Sequence, residues 1–216
     1  MKKRIREISI VILVVVVLTT IPALAGGSIV DLPVWVTQEL KHSVKFVSRE
    51  FGFSAYFCAP VEQSAKNLKQ GFVYKGVRYS LRQTSFLGFD KNAPFATVVH
   101  KGKFDARIRL ADFSRAETNS LFSEIYDGML EELTSGKLVE SEFSTFKGYQ
   151  ASKFFVTAKN EHGTPFCMTG VAIVVPEQNA EYALYFMTWG AQCATQDRNV
   201  NTKYGQPFLD TFETLK

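Results

Sequence analysis

Histidine is scarce, with three residues in a chain of 216, and cysteine equally so. Histidine is the side chain that changes charge near neutral pH and the commonest metal ligand, so the shortage limits general-base and metal chemistry from the outset. His42, His100 and His162 lie far apart, and none sits in an H-E-x-x-H or H-x-x-H spacing. The G-x-S-x-G elbow of a serine nucleophile is missing. Cys167 stands in the apolar phrase Phe166-Cys167-Met168, a setting that raises a thiol's pKa and leaves it inert. Beyond Gly26-Gly27 the glycines are scattered singly, which excludes a phosphate-cradling loop. Glu161, His162 and Cys167 would share a metal only if a hairpin brought them together, and a solvated turn histidine is the simpler reading. No catalytic residue, no metal ligand set and no cofactor are expected.

A basic stripe is also lacking. Lys and Arg exceed Asp and Glu by 25 to 21, a formal charge of +4. Within the first 25 residues Lys2, Lys3, Arg4 and Arg6 face only Glu7, so three of those charges are N-terminal and about +1 remains for the rest. Nucleic-acid binding needs clustered Lys and Arg on the folded domain and is not expected. What the N-terminus does have is a basic start, an apolar run over residues 8–18 and Ala23-Leu24-Ala25, the order of a secretory signal peptide over residues 1–25. The competing reading is an uncleaved anchor, because residues 8–25 approach the length of a membrane span; Pro22 and the A-x-A site favour cleavage. Membrane contact is expected only through this segment, if it is kept. An exported protein, periplasmic or extracellular, follows from the cleaved reading.

Three cysteines in an oxidising compartment predict one disulfide and one free thiol. Cys167 and Cys193 are closer in sequence, but a turn centred near Gln178 sets Cys167 opposite a residue near 188. That leaves Cys193 about five residues out of register, beyond the ~7 Å Cα limit for a bridge unless the chain doubles back after Gly190. Cys58 and Cys193, both at predicted strand ends, are the expected pair.

Apolar residues are plentiful and patterned. Residues 26–43 read as an arm, and residues 44–216 as a single domain. Val44, Phe46 and Ser48 alternate with Lys45 and Val47, and residues 53–58 follow after a turn at 49–52, which predicts a hairpin. Residues 61–71 read as a polar linker, and Val77, Tyr79 and Leu81 alternate cleanly with Arg78, Ser80 and Arg82, a strand with one wet face. Arg78 and Arg82 are more simply a solvated face than an anion site. Residues 95–99 predict a strand, 100–103 a turn, and the alternation at Ala106, Ile108 and Leu110 a further strand or a strand leading into a helix.

Ser114 and Glu117 form a capping box ahead of Leu121, Ile125, Met129 and Leu133, the signature of a helix that Gly136 would cap. Strands follow over 137–146 and 150–159, turning at Lys147-Gly148 and Asn160-Glu161-His162-Gly163. Two apolar runs, 166–175 and 182–189, joined by Pro176-Glu177-Gln178-Asn179, are apolar at nearly consecutive positions. They predict a central hairpin covered on both faces and are too short to span a bilayer. A short terminal helix begins at Pro207 and carries Phe208, Leu209, Phe212 and Leu215. Helices segregated from an antiparallel sheet indicate the α+β class.

Several phrases resemble the PsbP-like superfamily, which includes the Ran-binding Mog proteins. They are Phe53-Ser54-Ala55-Tyr56-Phe57 with Pro60, Gly148-Tyr149, Tyr182-Ala183-Leu184-Tyr185 and Phe208-Leu209-Asp210-Thr211-Phe212. The resemblance spans roughly residues 44–216. It implies an αβα sandwich with a central antiparallel β-sheet and a non-enzymatic accessory or binding role, and supplies no catalytic residue. Binding to an envelope protein partner is the expected function. A carrier for a small apolar ligand, held in an aromatic-lined groove at Phe155, Tyr185 and Trp189, is the alternative. A hydrolase, the remaining alternative, would need a Ser or Cys within hydrogen-bond reach of His100 or His162.

Overall fold

The computed structural model describes residues 44–74, 77–89, 95–131, 133–160, 162–189, 193, 206 and 208–215, with side chains described outside 65–80 and 131. The segments expected to be signal peptide and arm, residues 1–43 with His42, lie outside the described residues.

Seven strands form one antiparallel sheet. They are β3 (Val61–Tyr74), β4 (Val77–Phe89), β5 (Phe95–Phe104), β6 (Thr134–Phe146), β7 (Tyr149–Lys159), β8 (Pro165–Val175) and β9 (Ala180–Trp189). Their spatial order is β3-β4-β5-β9-β8-β7-β6. The apolar hairpin β8–β9 therefore sits near the middle, and every residue of β9 is buried. Its turn holds Pro176–Gln178 as a 3-10 turn closed by Asn179 in a left-handed conformation, φ 48°. Register follows from that turn: Cys167 pairs with Thr188.

Because successive side chains point to opposite faces, the two faces carry separate cores. One is covered by α1 (Arg115–Glu131), which presents Leu121, Phe122, Tyr126 and Met129 to Val98, Phe154, Met168 and Tyr185. The other is covered by a small sheet of β1 (Val44–Ser48), β2 (Phe53–Phe57) and β10 (Glu213–Thr214), in the order β1-β2-β10, and by helical residues 206 and 208–211. Phe53, Phe57, Phe208 and Phe212 meet Phe86, Tyr182 and Leu184 there. The class is α+β with a mostly antiparallel sheet, as expected. One outer layer is the capped helix, and the other combines a β-hairpin with a single helical turn.

Local chemistry accounts for the elements. Ser114 Oγ accepts from the Glu117 N–H at 3.2 Å while Glu117 Oε2 accepts from the Ser114 N–H at 2.8 Å, the reciprocal capping box. Lys147 and Gly148, at φ 50° and 86°, make the two-residue turn with positive φ that suits the right-handed twist of a hairpin.

Four expectations are corrected. Residues 61–71 are not a linker; they belong to β3, which pairs with β4 from Val61 to Tyr74 with one irregularity between Leu68 and Phe72. As an outer strand it tolerates the exposed Glu62 and Gln63. Residues 100–103 are not a turn but the second half of β5, because neighbouring strands and loops supply partners for the polar side chains of His100 and Lys101. The alternation at 106–110 is not a strand. Asn179 Nδ2 donates to Ile108 O at 2.7 Å and Asn179 Oδ1 accepts from the Leu110 N–H at 3.0 Å, which fastens the segment as a loop leading to a 3-10 turn at Leu110–Asp112. Gly136 does not cap the helix: α1 ends at Glu131, Ser135 takes the left-handed conformation at φ 54°, and Gly136 lies in β6.

Candidate functional site

The residues proposed as one aromatic groove do not share a face. Phe155 faces the terminal-helix side, where it clusters with Cys167 and Cys193. Tyr185 and Trp189 face α1, where Tyr185 meets Phe154 with ring centroids 6.2 Å apart and Trp189 meets Phe89 at 5.7 Å. Phe154 and Phe155 are consecutive, so strand pairing alone decides which of them joins Tyr185. Pairing Phe154 with Gly170, and Gly170 with Tyr185, settles it.

Phe155 does line a groove of about 350 Å³ between β6, β7 and β8 and the terminal helix. Its apolar wall is Phe146, Phe155, Val171 and Leu209; Glu140, Glu142, Lys153 and Asp210 stand at its rim. The hydroxyl of Thr169, which also lines it, is buried and has no hydrogen-bond partner. Lys147, a further lining residue, donates from Nζ to the Asp210 carbonyl at 2.6 Å and ties the terminal helix to the β6–β7 turn.

The disulfide is Cys167–Cys193, with Cα atoms 5.4 Å apart, and not Cys58–Cys193. The register that argued against this pair is present, with Cys167 opposite Thr188. Cys193 comes back beside Cys167 after β9 ends, which straight-strand spacing does not anticipate. Cys58 is the free thiol, held between the Gly88 carbonyl at 3.1 Å and the Thr97 hydroxyl at 3.4 Å.

A second polar locus lies on the α1 face. Gln83, Gly102 and Glu181 form one row across β4, β5 and β9, and Ser85 and His100 form the next. His100 Nδ1 and Ser85 Oγ are 2.7 Å apart, and both residues are under a tenth exposed. The hydrolase reading required a hydroxyl in reach of His100, and this pair meets that condition, but it is enclosed in the core. Burial lowers the His100 pKa to about 4 and raises that of the Glu181 carboxyl to about 8. Gln83 Oε1, His100 Nε2 and Glu181 Oε2 are buried without hydrogen-bond partners. Tyr126 on α1 donates to the Ser152 carbonyl at 3.0 Å, and burial pushes its hydroxyl pKa upward. Neither locus was legible beforehand: the signal was a set of polar residues interrupting apolar strands, which reads as turn.

His162 lies exposed in a turn, its N–H donating to Asn160 Oδ1 at 3.0 Å. Cys167, being bridged, is no metal ligand beside it. Arg82 is exposed, in keeping with a solvated strand face. Among the described residues no helix is long and apolar enough to cross a membrane, and no three side chains drawn from His, Cys, Asp and Glu cluster as a metal set.

No known family profile matches the chain, and no curated protein matches it. Among solved structures, the chain is similar to the Ran-binding protein Mog1p of Saccharomyces cerevisiae, with a TM-score of 0.40 and 10% identity over 72% of this chain and 97% of that one. It is also similar to the cyanobacterial PsbP of Synechocystis, with a TM-score of 0.39 and 10% identity over 89% and 99%. A protein of unknown function from Pseudomonas aeruginosa matches with a TM-score of 0.37 and 13% identity over 66% and 94%. At this level of similarity the likeness carries no activity to this chain.

Proposed function

We propose that the chain is an exported, non-enzymatic binding protein of the cell envelope that works through protein–protein contacts, with residues 1–25 a cleaved signal peptide, 26–43 an arm and 44–216 the binding domain. The observation that carries the binding reading is the edge strand β6. Among the described residues it is the last strand of the large sheet, paired only on its β7 side, and it exposes Val139 at 44% and Phe143 at 40%. An unpaired edge bearing apolar side chains is the kind of surface a partner chain covers. Export is supported by the basic, apolar and A-x-A order of the N-terminus and by the Cys167–Cys193 bridge, since disulfides persist in oxidising compartments. Cross-linking in envelope extracts should capture a discrete partner with the wild type and lose it with Phe143→Glu, at unchanged circular dichroism. Equal capture by both proteins, or none by either, would sink the proposal.

A second reading, a carrier of a small apolar ligand, moves from the predicted trio to the groove at Phe155, Val171 and Leu209. A volume of about 350 Å³ is within the range of small-molecule sites. An environment-sensitive apolar dye should bind the wild type and not Leu209→Arg; identical dye fluorescence in the two would remove this reading.

A further inference from the structure

Three buried side-chain atoms without a hydrogen-bond partner, Gln83 Oε1, His100 Nε2 and Glu181 Oε2, belong to residues at neighbouring positions of the α1 face around Gly102. Gly102 stands between Gln83 on one strand and Glu181 on the other. Glu181 leans into the space a side chain there would fill: a Cβ at position 102 would meet Glu181 Oε1 at 2.6 Å and its Cδ at 3.1 Å. His100 is two residues away on the same face, and its Nδ1 is engaged by Ser85 Oγ. If Nδ1 carries the proton and donates it to the serine oxygen, Nε2 keeps its lone pair free. That is the arrangement in which a second hydrogen bond fixes a metal-binding imidazole.

An unpartnered buried polar atom costs on the order of 1–3 kcal/mol, so three on neighbouring residues call for an occupant that accepts electron pairs. One proton on Glu181 turns that oxygen into a donor for one neighbour and still leaves one acceptor unserved. A cation serves all three together and restores a charged carboxylate partner in the core. Imidazole nitrogen and carboxylate oxygen are donors that zinc-like ions take at about 2.0–2.2 Å, and the carboxamide oxygen of Gln83 is a further neutral donor.

We propose that Gln83 Oε1, His100 Nε2 and the Glu181 carboxylate form a buried site for one divalent transition-metal ion, with Ser85 orienting the imidazole and the absent side chain of Gly102 making room for the Glu181 carboxylate. The site is independent of the β6 edge and of the groove, on which the proposed binding functions rest. Being enclosed, it takes its ion during folding.

The full chain, unfolded in urea with chelator and then refolded with one equivalent of Co2+, should show visible d–d absorption and retain about one equivalent after gel filtration. Refolding with Zn2+ should raise the unfolding midpoint. His100→Gln, Glu181→Gln and Gln83→Leu, each checked for native circular dichroism, should reduce retention at least tenfold for the first two and measurably for the third. Retention of no metal by the folded wild type would overturn the proposal, the three acceptors then being served by water alone. So would equal retention by His100→Gln and Glu181→Gln, which would place the ion elsewhere on the chain.

Discussion

Breaking the Cys167–Cys193 bridge tests both the fold and the compartment. The bridge closes a loop with a sequence separation of 26 residues, for which the loss of unfolded-state entropy is worth about 3.5 kcal/mol. Both sulfurs are buried, at 0% and 2% exposure, and Phe155 packs against them, so little of this is offset by solvent access in the reduced form. For a domain of this size the loss corresponds to roughly 7–14 °C in Tm. The double variant Cys167→Ala/Cys193→Ala, compared with wild type by urea and thermal unfolding, should show it; Cys58→Ser, whose thiol is only half-buried, should stay within about 1 kcal/mol of wild type. Alkylating the unreduced, unfolded protein and mapping the adduct should mark Cys58 alone. An adduct on Cys167, or a double variant as stable as wild type, would refute the argument.

Gly170→Ala should be among the most damaging single-methyl changes available. Its Cβ would lie 2.2 Å from the Leu184 carbonyl oxygen and 2.6 Å from Tyr185 Cβ, which forces β8 and β9 apart and costs about 3 kcal/mol, read as a lower urea midpoint; a change below about 1 kcal/mol would contradict the packing described. Ser114→Ala removes one half of the capping box and should cost about 1 kcal/mol, with Glu117→Gln losing less because an amide oxygen still accepts. Lys101 gives a pH dependence. Burial, helped by Lys103, lowers its folded pKa to about 8 while the unfolded value stays near 10.5, so the contribution is lost as pH falls through 8. Urea unfolding should therefore show stability rising from pH 8 to 10 relative to Lys101→Met, by well under 1.4 kcal/mol per unit because the amine is partly solvated; parallel curves for the two proteins would refute it.

The parts of this fold written in local spacing were readable. Ser114 and Glu117 announce their helix because both partners of the cap lie three residues apart. The β8–β9 hairpin is announced by its length, its break at Pro176 and its runs on both sides, from which even the position opposite Cys167 follows. What spacing could not supply is pairing between distant segments. His100 and Lys101 look like a turn until Ser85 and the Phe51 carbonyl are set beside them. Phe154 and Phe155 are equivalent as letters, and only the register with β8 sends them to opposite cores. The disulfide and the groove depend on the path taken after β9, where periodicity has ended.

The two-residue strand β10 bears on when the protein can fold. Ser54 in β2 and Glu213 in β10 are separated by 159 residues, and the second core is completed by Phe208, Leu209 and Phe212. Contacts so far apart in the chain form late and slowly. A chain emerging from its N-terminus thus leaves Phe53, Phe57 and Tyr182 without their last cover until residues 208–214 have been made. If the chain crosses a membrane as a thread, this order of assembly keeps it threadable until residues 208–214 have followed, and the closing step falls on the far side.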